Sequence, residues 1–240
     1  MHGGVHASWV WSNLQGWFAG RGWSSTALDW FGHGDSAPLP LEDMLRRGIV
    51  DVTEEIGIAC AASDRRPVLV GHSMGGLAAL AYAAAEPDAL AALVLLTPGV
   101  PSAYAGPPVE VPVDRDALWG PPPPDVARAL FYSGVDDAAA ARYHRMLQPE
   151  SPEAVYQATR WTVDLDLTPL RGSAILVVAA EADPLVTVDA LTAMASDIGA
   201  DRILLPAAGH GVILDPGWPD LAARVETWLV AALGEATPSP

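Results

Sequence analysis

Val68-Leu69-Val70-Gly71-His72-Ser73-Met74-Gly75-Gly76, continuing as Leu77-Ala78-Ala79-Leu80-Ala81-Tyr82-Ala83, decides how this chain folds. Its first residues are apolar and rich in branched side chains, which suits a strand buried on both faces. Its last residues are Ala- and Leu-rich, with high helix propensity. Between them lies Gly-x-Ser-x-Gly. A strand that turns directly into a helix needs small residues beside the turn, and Gly71 and Gly75 supply them. Such a turn strains its central residue and lifts the Ser73 hydroxyl above the sheet. It also places the Met74 N–H at a helix N-terminus, where it can donate to a developing oxyanion. The pattern alone is short and matches by chance. The strand before it and the helix after it make Ser73 a candidate nucleophile.

A serine hydroxyl needs a base, and the base needs an orienting partner. Open α/β sheets place such groups on loops at the carboxyl ends of strands. Asp183 follows an apolar run ending at Ala179, and His210, between Gly209 and Gly211, follows one ending at Leu205. The order Ser, Asp, His is the one this turn requires. Glu181 is the rival to Asp183, which is preferred because Pro184 fixes the turn beside it. Asp215 is read as the cap of the last helix, with Pro216 at its first position. His72 tucks beside Ser73, His33 holds backbone in a Gly-rich loop, and His144 is a surface residue. His2-Gly3-Gly4-Val5 is the candidate loop for a second oxyanion donor, the N–H of Gly4.

The rest of the chain alternates strand and helix, so the sheet is expected to be mainly parallel. Residues 1–11 read as a loop running into a helix through Trp17 and Phe18. Residues 26–28 read as a short strand and residues 30–36 as a Gly-rich loop. Residues 41–62 carry helical spacing at Leu45, Ile49, Val52 and Ile56, predicting one helix. Pro87 stops the helix after Ser73. Residues 93–96, 174–179 and 202–205 read as strands, and 189–198 and 221–233 as helices. Residues 102–171 are proline-rich, with helical patterns near 125–132, 137–147 and 152–161 and no core-type strand. They are expected to form a lid inserted between two core strands. The expected division is therefore a core over 1–101 and 172–234, a lid over 102–171, and a disordered tail over 235–240.

Bulk properties narrow the function. At 240 residues, half of them hydrophobic, the chain can bury a large core. The single cysteine, Cys60, permits no internal disulfide and reads as a buried small hydrophobe. The net charge is −16 and every basic residue is arginine, which disfavours nucleic acid and anionic membranes as partners. The longest apolar run is too short to span a bilayer, and no charged and apolar leader pattern is visible, so a cytoplasmic location is expected. No His and carboxylate spacing suits a metal, and no Gly-x-Gly-x-x-Gly follows a strand, so neither metal nor cofactor is expected.

Together, His2-Gly3-Gly4, Asp29-Trp30-Phe31-Gly32-His33-Gly34-Asp35-Ser36, the Ser73 turn, Asp183 and Gly209-His210 resemble the α/β-hydrolase superfamily over nearly the whole chain. Residues 2–11 are similar to the oxyanion loop of its methylesterase and hydroxynitrile-lyase branch, which implies a small ester or related carbonyl substrate under an apolar lid. The lyases carry threonine where Gly3 stands and lysine where Gly211 stands, which speaks against lyase chemistry. Serine rather than aspartate as nucleophile speaks against epoxide hydrolases and haloalkane dehalogenases. The family's first three strands have no counterpart here, so the natural chain is expected to begin upstream of Met1.

The resulting expectation is a serine hydrolase of a small or medium carboxylic ester or lactone. Ser73, His210 and Asp183 carry the chemistry, and Gly4 and Met74 hold the oxyanion. Trp9, Leu185, Val186 and Val212 line the substrate pocket. The alternatives are a carbon–carbon bond hydrolase or acyltransferase using the same residues, or a non-catalytic ligand-binding homologue.

Overall fold

The structure is a computed structural model that describes residues 1–234. The tail expected over 235–240 lies outside them. Four parallel strands stand in chain order: β1 (Val68–His72), β2 (Ala92–Leu96), β3 (Ile175–Ala180) and β4 (Asp201–Leu205). Val70 lies beside Val94, Leu95 beside Val177, and Val178 beside Ile203. β2 and β3 are buried at every position, as interior strands of a parallel sheet must be. β4 is the exposed edge, and it is the strand with a charged start.

Alternate strand residues face opposite layers. Leu93, Leu95, Ile175 and Val177 pack against α4 (Met74–Ala85), α3 (Thr53–Ala61) and α8 (Val188–Ile198). Val94, Leu96, Leu176 and Val178 pack against α1 (Ser12–Ala19) and α9 (Trp218–Leu233). The sheet is thus covered on both faces, and the carboxyl ends of its strands open toward residues 97–174, which intervene between β2 and β3. These residues contain α5 (Pro124–Phe131), α6 (Asp137–His144) and α7 (Pro152–Arg160), close to the expected patterns, and no strand of the sheet. Among the described residues no helix is long and apolar enough to cross a membrane.

Three local expectations fail for identifiable reasons. Residues 26–28 form no strand. The position beside β1 is taken by Met1, whose amine donates to the Val70 carbonyl at 2.5 Å while the His72 N–H donates to the Met1 carbonyl at 3.0 Å. This single parallel rung leaves residues 26–28 without a ladder to join. The helix expected over 41–62 is broken into α2 (Leu41–Arg46), a 3₁₀ turn (Val50–Val52) and α3. Gln157 of α7 docks at the break and accepts the Ile49 N–H at 2.8 Å. A β-carbon on Gly48 would come within 2.8 Å of the Gln157 amide, so the two segments are in close contact at the break. Asp215 does not cap the last helix. That helix starts at Trp218 with Gly217 as its cap, and the Asp215 carboxylate accepts the Gly134 N–H at 3.2 Å instead.

Candidate active site

The turn between β1 and α4 has the strain its sequence implies. Ser73 sits at φ 54 and ψ −125, a region disfavoured for any residue with a side chain. Its backbone is held by the Leu96 carbonyl, which accepts its N–H, and by three N–H groups, Gly76, Leu77 and Gly99, donating to its carbonyl. Gly71 is required because a β-carbon there would meet the Gly75 carbonyl at 2.6 Å. Gly75 is required because His2 of the N-terminal loop packs where its side chain would stand.

The loops after β3 and β4 deliver the partners. His210 Nε2 lies 2.8 Å from Ser73 Oγ, and its Nδ1 lies 2.8 Å from Asp183 Oδ2. A carboxylate only accepts, so Nδ1 carries the proton and Nε2 presents its lone pair to the serine hydroxyl. The other Asp183 oxygen accepts the Leu185 and Val186 N–H groups at 2.8 and 3.1 Å, which fixes the carboxylate. Both side chains are buried. Glu181, the rival, instead accepts the Ala207 N–H and braces the His210 loop from outside.

The backbone of His210 is also anchored. Its carbonyl accepts from His72 Nε2 and from the Thr97 hydroxyl, each at 2.9 Å. Burial lowers the pKa of His72 well below the ordinary value, and the neighbouring His210 lowers it further, so His72 is a neutral donor. Thr97 is a positioning group that the sequence reading passed over. Its signal is a hydroxyl ending the wholly apolar run Leu93–Leu96.

Gly4 and Met74 meet beside the hydroxyl. A β-carbon on Gly3 would lie 2.9 Å from Ser73 Cβ, and one on Gly4 would collide with the Met74 sulfur. Among the described residues, neither the Gly4 nor the Met74 N–H donates to a protein acceptor. Both residues line a partly open cavity of about 80 Å³ whose lining includes Ser73 and His210. Its walls are apolar, with Val109, Trp119, Phe131 and Trp161 from the intervening stretch and Leu185 and Val186 from the β3 loop.

Two expected pocket residues lie elsewhere. The Trp9 ring stacks on Tyr143 at 5.5 Å and leans on His6, so it backs the cavity wall without lining it. Val212 turns into the core on the α9 side of the sheet. The His33 ring reaches the Phe31 backbone, as expected of this loop. It faces a buried carboxylate, Glu150, which also lines the cavity and which the sequence reading missed. His144 is half-buried and bonds the Pro122 carbonyl. Among the described residues no group of three or more His, Cys, Asp or Glu is arranged to hold a metal.

Comparison with known proteins bears on the fold and the family. Two rice proteins (Oryza sativa subsp. indica and japonica), each called "Probable esterase PIR7A", are 32% identical to the chain over 108 residues. That match spans 43% of this chain and covers only 39% of the length of those relatives. A monoacylglycerol lipase from Paleococcus ferrophilus superposes with a TM-score of 0.75 at 18% identity, covering 97% of this chain and 93% of its own. The methylesterase MES16 from Arabidopsis superposes equally well, TM-score 0.75 at 16% identity, covering 96% and 97%. At such identities these two solved structures speak for the fold. An alpha/beta hydrolase family model matches residues 1–223, nearly the whole described chain, and the protein belongs to that family.

Proposed function

We propose that the protein is a serine hydrolase cleaving a small or medium carboxylic ester or lactone through an acyl-enzyme on Ser73. One observation carries the reading: the Asp183–His210–Ser73 relay, 2.8 Å at each step, stands at the floor of an apolar cavity. Residues 102–171 act as the lid that roofs it, on a core of residues 1–101 and 172–234. The names of the rice and Arabidopsis proteins agree with an ester substrate.

In this mechanism His210 Nε2 takes the Ser73 proton as Oγ attacks the substrate carbonyl, and Asp183 steadies the resulting imidazolium. The carbonyl electron pair moves onto oxygen, which rests on the Gly4 and Met74 N–H groups. His210 then gives its proton to the leaving alcohol and the acyl-enzyme forms. Water, deprotonated by His210, attacks the acyl carbonyl; the bond to Ser73 Oγ then breaks, His210 returns the proton to Oγ, and the acid is released.

The test is labelling of Ser73 by a fluorophosphonate probe, followed by turnover of p-nitrophenyl esters of increasing acyl length. Labelling and turnover, both lost in Ser73→Ala, are expected. Labelling without ester turnover moves the assignment to carbon–carbon cleavage or acyl transfer, and absence of labelling moves it to ligand binding.

A further inference from the structure

Glu150 is a buried carboxylate for which the proposed reaction has no direct use. It lies on the strand-like segment Gln148-Pro149-Glu150, where its backbone pairs with Trp119 through two hydrogen bonds of 2.9 Å. Its Oε2 accepts the Val5 N–H at 3.0 Å and lies 3.1 Å from His33 Nε2. Its Oε1 accepts the Ser151 N–H at 2.8 Å. Gln148 completes the grip. Its N–H donates to the Val5 carbonyl at 2.8 Å, and its side-chain oxygen accepts the Gly34 N–H at 2.8 Å. Both polar groups of the Val5 backbone are therefore held by this one segment.

Val5 needs holding. It sits at φ 57, a conformation that a β-branched residue does not adopt unless its surroundings impose it. Val5 follows Gly4 directly, so its dihedral sets the direction in which the preceding peptides face. A β-carbon on Gly4 would stand 3.6 Å from Glu150 Oε2, which brings the carboxylate beside the candidate oxyanion donor itself.

We propose that Glu150 is a positioning residue for the oxyanion loop: its carboxylate, seated against His33, locks Val5 in the left-handed conformation and thereby aims the Gly4 N–H. The inference rests on the proposed ester chemistry. A bare carboxylate so close to a developing oxyanion would repel it, and His33 cancels that charge. Burial resists ionisation of both partners. Their mutual attraction overcomes it, raising the pKa of His33, while for Glu150 the same attraction and the Ser151 and Val5 N–H groups lower it. Each shift favours the charged form of its group, and an imidazolium set against a carboxylate is close to neutral in sum.

The experiment compares wild type, Glu150→Gln, and Glu150→Gln combined with Val5→Gly, with Val5→Gly alone as control. Glycine adopts positive φ without strain. With p-nitrophenyl acetate, Glu150→Gln is expected to lower kcat by about 10–10²-fold, less than the loss of about 10²–10³-fold when an oxyanion donor is removed outright. KM should change less than about threefold, because the donor acts in the transition state and not in substrate binding. The double variant should recover about tenfold in kcat over Glu150→Gln while its melting temperature does not recover. Amide hydrogen exchange across residues 1–7 should rise in Glu150→Gln and stay unchanged across α4. Unchanged loop exchange, a change confined to KM, or no recovery in the double variant overturns the proposal. Failure of the ester reading shows differently, as a wild-type protein with no esterase activity. Loop exchange still decides the role of Glu150 in that event.

Discussion

The carbonyl oxygen of Phe131 occupies the position that a β-carbon on Gly211 would need. The residue after His210 is thus glycine because the end of α5 is seated against it. On the other side, a β-carbon on Gly209 would meet the Ser133 hydroxyl at 2.5 Å, and the Gly134 N–H bonds Asp215. The His210 loop is clamped by residues 131–134, from a stretch that also contributes to the cavity wall.

Gly211→Ala should therefore damage activity as well as stability. Overpacking at such a contact costs about 1–3 kcal/mol, and a 1 Å displacement of a catalytic group costs about 10²-fold. We expect kcat/KM on p-nitrophenyl acetate to drop by about 10² with a lowered melting temperature. Gly16 supplies the contrast. It lies inside α1 with open space around its α-carbon, so Gly16→Ala should stabilise by about 0.5–1 kcal/mol and leave kcat/KM unchanged.

The relay itself gives graded outcomes. Ser73→Ala should lower turnover by about 10⁶-fold. Asp183→Asn should lower kcat by about 10⁴-fold, because an amide in place of the carboxylate favours the wrong His210 tautomer. Stopped assays with a p-nitrophenyl ester and far-ultraviolet circular dichroism separate these losses from unfolding. Retention of a tenth of wild-type activity in Ser73→Ala excludes it as the nucleophile.

Stability should fall on acidification. Burial lowers the pKa of His2 and His72 well below the ordinary 6.5 and takes His6 to about 4. As pH drops below 6.5, the unfolded chain binds protons that these folded positions refuse, so each destabilises the fold until its own folded pKa is reached. His33 acts in the opposite sense. Its pKa is raised, so its contribution is complete below 6.5 and is lost as pH rises through the folded value. Three lowered histidines outweigh one raised. Melting temperature should decrease from about pH 7.5 to about pH 5.5, and His33→Gln should steepen the decrease. A melting temperature independent of pH over that range contradicts the burial of these rings as neutral groups.

Substrate length should answer to the wall. Ala158 faces the cavity from α7 beside Val155 and Trp161. Ala158→Phe should fill that space and shift preference toward shorter acyl chains. Each excluded methylene is worth about 10–200-fold in kcat/KM, so octanoyl esters should suffer far more than acetyl esters. Parallel loss across all lengths would place the acyl chain elsewhere.

Much of this was legible in the chain. The turn at Ser73 announces itself because strand, glycines and helix must all be present together, and Asp183 and His210 follow from strand order. The helices of residues 102–171 show in their spacing. What the sequence hid were contacts made across long separations. Glu150 has no neighbours that mark it as more than a surface acid, since its meaning comes from Val5 and His33 far away in the chain. Asp215 before Pro216 looks like a helix cap, yet the partner that claims it, Gly134, lies in another segment. Residues 26–28 read as a strand, yet the place beside β1 is held by Met1, a contact that composition cannot report.

The stretch between β2 and β3 therefore sets boundaries on how the proposed activity can be re-tailored. Libraries spread over residues 109–161 will divide sharply. Positions such as Val109, Val155 and Ala158 only shape the chamber and should yield altered appetites. Those at 131–134 and 148–151 also brace the His210 loop and the Val5 segment, and changes there should slow every substrate alike. Breadth of diet and speed of reaction are here written into the same loops, a few residues apart.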